Sequence, residues 1–316
     1  MAAGVVLVLT AMLVHSLFFS HVDISGIKRE RFEWSIIDKY FFSDLVLRGL
    51  LVTIELTLIA MTGGILLGLI LAVMRLSPNP IVTGSSWVYI WFFRGTPVLV
   101  QLLFWFNLAY IFPSFSLGVP FGPTFVHIDT NTVLTPFVAG SLGLALNEGA
   151  YMSEIVRAGI VSVDEGQMQA AMSVGMSRLL ALRTVVLPQA MRVIIPPTGN
   201  ETISMLKTSS LASVVTVYEI TFQVEQIAGA NFKPIPMYIV AALWYLIVTT
   251  VMMIGQYYLE RYYARGSVRQ LPPTPLQRIR RGLLIRPDGR GFGRFPGAIG
   301  TEGWVPAVPQ PQDDGG

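Results

Sequence analysis

The chain has 316 residues, of which 53% are hydrophobic and 13% charged, with a formal net charge of +3 and no cysteine. Soluble domains carry about a quarter charged residues, so this composition, with a mean hydropathy of +0.59, excludes an ordinary water-soluble fold. The missing cysteines exclude a disulfide framework, an iron–sulfur cluster and a thiolate zinc site, and no run of Lys and Arg interleaved with aromatics supports nucleic-acid binding.

The apolar residues come in long blocks separated by short polar stretches. In lipid each block must satisfy its own backbone hydrogen bonds, which a helix does. A crossing helix needs roughly 20 mainly apolar residues. The expected fold is therefore an all-α integral membrane protein with about six transmembrane helices. The first span is Ala2 to Phe19; it lacks a basic leading segment and an Ala-x-Ala exit, which favours a retained helix over a cleaved signal peptide. The second runs from Leu45 to Met74, the third from Ser85 to Ile111 and the fourth from Val133 to Val161. The fifth, Val193 to Val217, is weakly apolar and carries Pro196, Pro197, Asn200, Glu201 and Lys207. Its proline pair suggests a broken or late-starting helix. The sixth is Met237 to Leu259. The expected organisation is an N-terminal helix and external linker over 1–44, a transmembrane domain over 45–260, and a Pro-, Gly- and Arg-rich tail over 261–316 that reads as disordered.

Lys and Arg in the connections set orientation. The tail holds Arg261, Arg265, Arg269, Arg278, Arg280, Arg281, Arg286, Arg290 and Arg294, which places the C-terminus in the cytoplasm of a cell membrane. Counting back, the link after Met74 and the long Ser162–Arg192 link are cytoplasmic, and the Phe112–Thr132 loop, with no Lys or Arg, is external. The first loop opposes this scheme, since it should be external yet contains Lys28, Arg29, Arg31 and Lys39.

Within the long cytoplasmic link lies GQMQAAMSVGMSRLLALRTVVLPQA, Gly166 to Ala190, too polar to span. It reads as two short helices broken at Gly175, which can take the left-handed conformation that ends a helix. Ser177 caps the second, and Leu187–Pro188 is expected to stop it. A helix–turn–helix on the cytoplasmic face suits docking into a groove on a partner.

Gln169, Ala170, Ala171, Gly175, Val185, Leu187 and Pro188 reproduce the spacing of the EAA loop, and the segment resembles that of ABC importer permeases. Gln169 stands where the family has an acidic residue and Val185 where it has isoleucine. The stretches IWFFRGTPVLVQL (Ile90–Leu102), NEGAYMSEIVRAGI (Asn147–Ile160) and NETISMLKTSSLASVVTVYEI (Asn200–Ile220) are similar to signatures of the polar amino-acid importer family. The resemblance implies a five-helix type I permease core preceded by one extra helix. It also implies that Gln169, Ala170, Ala171, Gly175, Leu187 and Pro188 contact an ATPase subunit. Further implied partners are a second permease subunit, identical or not, and an extracytoplasmic amino-acid-binding protein. No Walker A pattern, G-x-x-x-x-G-K-[ST], occurs in the chain. ATP and Mg are therefore expected on the partner ATPase, with no cofactor in this chain.

Ionisable residues inside a bilayer are costly and mark candidate sites. Arg94 suits a substrate carboxylate, with Thr96 and the backbone around Gly95–Pro97 adding hydrogen bonds; the structural alternative is an ion pair that holds the bundle. Pro97 also frees the carbonyl four residues earlier. Gln101 shares the face of Arg94. Glu148 and Glu154 suit an ammonium or a basic side chain, and Tyr151 lies on one face with Asn147 and Glu154. Glu154 also stands three before Arg157, so an internal pair competes with a substrate role. Asn200 and Lys207 share a face of the fifth span, beside a face with Glu201, Ser204 and Thr208. Snorkelling of Lys207 is the plainer alternative. His15, His21 and His127 lack ligand spacing, and Gly63, Gly64 and Gly68 read as helix-packing positions. A stand-alone secondary transporter or channel for small polar solutes is the competing function, but it gives no reason for the EAA-like loop. An intramembrane enzyme would need paired catalytic groups, and neither H-E-x-x-H nor G-x-S-x-G occurs.

Overall fold

The computed structural model describes residues 10, 12, 21–24, 27–30, 32–118 and 124–263. The expected first span lies almost wholly outside these residues, and so does the tail beyond Tyr263. Two strands, β1 (His21–Ile24) and β2 (Ile27–Glu30), pair antiparallel in the first loop. The short helix α1 (Trp34–Phe41) leads into α2 (Asp44–Arg75), the longest of the described helices. Next come α3 (Pro80–Gly95), α4 (Val98–Phe106), a 3₁₀ turn at Leu108–Tyr110, and an antiparallel hairpin of β3 (Ser114–Gly118) and β4 (Thr124–Asp129). The turn α5 (Thr130–Val133) precedes α6 (Pro136–Val161). The polar loop forms α7 (Glu165–Ser173) and α8 (Arg178–Ala181), and a π-helical segment, Leu182–Val186, joins α8 to α9 (Leu187–Thr208). A 3₁₀ stretch, Ser209–Val215, then leads to α10 (Ile220–Asn231) and α11 (Pro234–Tyr263).

Three of the described helical stretches are long and apolar enough to cross a bilayer: Asp44–Arg75, Arg178–Val215 and Pro234–Tyr263. The α3–α4 pair meets the test jointly but bends by 101°. The third expected span is thus not one straight helix. Thr96 is extended (φ −112°, ψ 145°), as a residue before proline tends to be, and α3 ends at Gly95. The α6 segment, 26 residues long, begins where sequence chemistry says it should: Thr135 accepts a hydrogen bond from the Val138 amide at 3.4 Å, and Pro136 fills the first turn.

Two expectations are corrected between residues 182 and 215. Leu187–Pro188 does not stop a helix; the π-helical segment Leu182–Val186 runs directly into α9, and Pro188 sits in the first turn after it. Nor do Pro196 and Pro197 break the span, since both lie inside α9. The carbonyls the two prolines free are those of Arg192 and Val193; the turn is held from outside, where Gln256 on α11 donates to the Pro196 carbonyl at 3.2 Å and Ile194 packs where Gly159 of α6 leaves room.

The core forms two apolar clusters that share α2. One joins Leu56, Met61, Leu102, Leu144, Met152 and Val215. The other joins Val46, Leu50, Ile220, Val224, Met237 and Val240. Glu219 ties α10 to its neighbours. Its carboxylate is fully buried, accepts from the Phe222 amide at 2.8 Å and from the Tyr245 hydroxyl at 2.9 Å, and meets the Thr53 hydroxyl at 3.5 Å. Glu219→Ala removes a helix cap and strands buried donors, at a cost of about 2 kcal/mol. The thermal midpoint of the purified protein in detergent should fall by roughly 5 °C, and Glu219→Gln, which keeps one acceptor oxygen, by less. An unchanged midpoint for the alanine variant contradicts this account.

Candidate functional site

The break between α3 and α4 organises the candidate site. With no amide hydrogen on Pro97, the Phe93 carbonyl lacks its helical partner. It is taken up instead by the side-chain amides of Asn147, at 2.9 Å, and Gln101, at 3.0 Å. Gln101 also donates to the Thr96 hydroxyl at 2.7 Å and accepts from Asn147 at 3.2 Å. Thr96 in turn donates to the Phe92 carbonyl at 2.9 Å. Gln101 and Asn147 are buried. Thr96, Gln101 and Asn147 thus form a clamp that fixes the bend, and Gln101 does not reach the groove described next.

Beside the bend, an open groove of about 450 Å³ is lined by Arg75, Trp87, Ile90, Trp91, Arg94, Gly95, Tyr151 and Glu154. The Arg94 guanidinium lies 5.1 Å from the centroid of the Tyr151 ring, a cation–π distance. Among the described residues Arg94 forms no direct ion pair, but the carboxylate of Glu201 on the neighbouring α9 stands within electrostatic range of it. Glu154 does pair with Arg157, at 2.8 Å and 3.0 Å, while still lining the groove. The sequence pattern that put Asn147, Tyr151 and Glu154 on one face is met: all three turn toward the α3–α4 break.

Glu148 is buried, only 3% exposed, and its Oε1 has no hydrogen-bond partner among the described residues. A Cβ on Gly64 would come within 2.5 Å of its Cγ, so Glu148 is seated in the α2–α6 contact. Glu201 on α9 stands within electrostatic range of both Arg94 and Glu148. Sequence reasoning set Glu201 on a neighbouring face without choosing it. The signal was there: an acidic side chain directly after Asn200 in a weakly apolar span. Asn200 accepts from Gln256 at 2.9 Å, an α9–α11 contact. Lys207 is exposed near the far end of α9, away from the groove lining. No group of three or more His, Asp or Glu side chains suited to a metal occurs among the described residues.

At the other end of α6 the polar loop has the geometry expected of it. Asp164 accepts from the Gly166 amide at 2.8 Å to start α7. Gly175 has φ +91°, and Ser177 accepts from the Leu180 amide at 3.4 Å to start α8. Gln169 and Ala170 are exposed, whereas Ala171 is buried.

A family model described as "Binding-protein-dependent transport system inner membrane component" matches residues 64–265. The chain is 47% identical over 255 residues to the arginine transport system permease protein ArgU of Corynebacterium glutamicum, covering 80% of this chain and 79% of that one. It is 32% identical over 231 residues to the glutamine transport system permease protein GlnP of Escherichia coli K12, covering 73% and 97%. Among solved structures, an amino acid ABC transporter crystallised with histidines aligns with a TM-score of 0.60 at 35% identity, covering 72% of this chain and 97% of the other. The inward-facing MetNI methionine ABC transporter aligns with a TM-score of 0.57 at 16% identity, covering 70% and 97%, and shares the fold.

Proposed function

This chain belongs to the family of binding-protein-dependent transport system inner membrane components, and we propose that the groove beside Arg94 forms part of the path an amino acid takes through it. The chain is a membrane-spanning permease subunit of an amino-acid ABC importer, with the ATPase a separate subunit. The observation that carries the site assignment is Arg94, on the groove wall, held against Tyr151 and without a carboxylate partner among the described residues. A substrate α-carboxylate fits that guanidinium. Glu154 on the groove wall and Glu201 near Arg94 supply the opposite charge for the ammonium or a basic side chain, with the buried Glu148 behind them. This distribution favours a polar or cationic amino acid, in keeping with the arginine named for the Corynebacterium relative. Thr96 and Gln101 act by fixing the bend, while Asn200, bonded to Gln256 of α11, and Lys207, away from the groove, would meet substrate only at another stage of its passage.

The α7–α8 turn is the proposed ATPase contact, made through Gln169, Ala170, Ala171 and Gly175, with Leu187 and Pro188 anchoring it to α9. The Lys and Arg distribution along the chain supports an orientation with the turn and the C-terminus in the cytoplasm and the β3–β4 hairpin outside, on the side of the amino-acid-binding protein. A second permease subunit completes the pathway. In proteoliposomes, labelled arginine should accumulate only when the co-purified ATPase, ATP and the binding protein are all present, and vanadate should abolish it. Uptake without the ATPase supports the stand-alone transporter instead.

Gly175→Val tests the docking turn separately. A β-branched residue at φ +91° is strained by about 1–3 kcal/mol, so ATPase association measured by co-purification should weaken roughly 10-fold or more. Full association with Gly175→Val, or after deletion of Gln169 to Pro188, removes the loop from the interface.

A further inference from the structure

We propose that the β3–β4 hairpin is an interfacial anchor, its apolar face lying in the head-group layer of the bilayer at the end of α6 opposite the docking turn. The register pairs Phe115 with Ile128 and Ser116 with His127, next to the Leu117–Val126 pair. Successive strand residues alternate between faces, so Phe115 and Ile128 share one face while Ser116 and His127, hydrogen-bonded at 3.1 Å, share the other. Phe125 falls at the register shift, where no residue opposes it, as in a bulge. Phe115, Phe125 and Ile128 are 42%, 72% and 39% exposed. A two-stranded hairpin with a bare apolar face is marginal in water, and no described helix other than the four-residue turn α5 makes substantial contact with it.

Lipid is the occupant the surroundings favour. The hairpin joins the end of α4 to the start of α6, and the chain entering it carries further exposed apolar side chains at Leu103, Phe104, Tyr110, Ile111 and Phe112. Aromatic residues gather at the level where hydrocarbon gives way to water. Burial there is driven by apolar area, and the segment from Phe112 to Thr132 contains no Lys or Arg for a charged protein surface to engage. The stem is fixed at that level. The Thr130 amide donates to the Pro113 carbonyl at 3.0 Å, the Thr130 hydroxyl donates to the Phe112 carbonyl, and Asp129 accepts from the Asn131 amide at 2.8 Å.

The chain has no cysteine, so a single introduced cysteine takes a nitroxide label uniquely. In the full transporter reconstituted in phosphatidylcholine–phosphatidylglycerol nanodiscs, labels at Phe115→Cys, Phe125→Cys and Ile128→Cys should show a ratio of oxygen to nickel-chelate accessibility several-fold above that of Ser116→Cys. Phe125 has no strand partner, so its label reports even if labelling Phe115 opens the hairpin. Equal ratios at all four sites overturn the anchor. A rise at the apolar sites only after the binding protein is added also overturns it and assigns the face to that protein. Ser116→Cys labelled in intact cells by a membrane-impermeant maleimide reports the orientation separately. Labelling only after lysis would overturn the proposed topology while leaving the accessibility test of the anchor intact.

Discussion

Gly68→Leu should empty the membrane of folded chain. The α2–α6 contact is the most extensive of the described helix pairs, and it depends on missing side chains. A Cβ on Gly68 would lie 2.5 Å from the Met152 Cβ and 2.9 Å from the Ser153 amide nitrogen. The second of these is backbone, so no rotamer change relieves it and the helices must part. Gly64 faces Glu148 in the same way, one helical turn earlier. From the other side, Gly149 on α6 receives Leu67, with its Cγ 2.9 Å from a built Cβ. Small residues that let helices approach closely are a main source of association in lipid, and overpacking such a contact costs about 1–3 kcal/mol even when the structure yields. Leucine, being larger than one methyl, goes past that range. The monodisperse fraction after detergent extraction should fall to near background for Gly68→Leu and partway for Gly68→Ala. Gly84→Ala, where nothing lies within 4 Å, should match the parent. Equal yields for Gly68→Leu and Gly84→Ala would refute the packing.

Arg94→Gln should lower ATP-driven uptake by about 10- to 100-fold, the loss of a charge-assisted hydrogen bond worth about 1.5–3 kcal/mol. The side chain is solvent-accessible and forms no ion pair among the described residues, so the thermal midpoint should change little. That combination separates the two roles an intramembrane arginine can have. Were Arg94 only a strut against Tyr151, midpoint and uptake would fall together, and Tyr151→Leu would reproduce both. Arg94→Lys should recover part of the uptake at most. It keeps the charge, but a lysine ammonium lacks the flat two-pronged donor that meets a carboxylate and stacks on a ring.

Among the described residues the helices were legible because lipid leaves a chain few options: long apolar blocks become helices and polar stretches become connections. The break between α7 and α8 was legible, because Gly175 and Ser177 act locally, through a positive φ and a bond from the nearby Leu180 amide; Asp164, which starts α7 in the same way, went unread. What sequence could not supply depends on residues distant in the chain. Pro97 by itself signals only one freed carbonyl within a single span, whereas the 101° bend rests on Gln101 and on Asn147, far along the chain, converging on that carbonyl. Pro196 and Pro197 announced a break that does not occur, since Gln256 and Gly159 on other helices support the turn around them. Glu219 escaped notice for the same reason. Its partners Thr53 and Tyr245 lie on α2 and α11, and only folding brings them together. Glu201 became a site candidate once α9 set it near Arg94 and Glu148.

The π-helical segment Leu182–Val186 joins the docking turn to the span without an intervening coil, making one helical stretch from Arg178 to Val215. At 1.5 Å per residue that is a rod of roughly 55 Å. Its tightest seat on α6 is Ile194 in the notch at Gly159, which divides it into a short arm of about 25 Å toward the turn and a longer one of about 30 Å beyond. If the turn is the ATPase contact proposed above and the stretch moves as one body, a tilt imposed at the turn would appear at the opposite end in the reverse direction and slightly magnified, with Gly159 as the fulcrum.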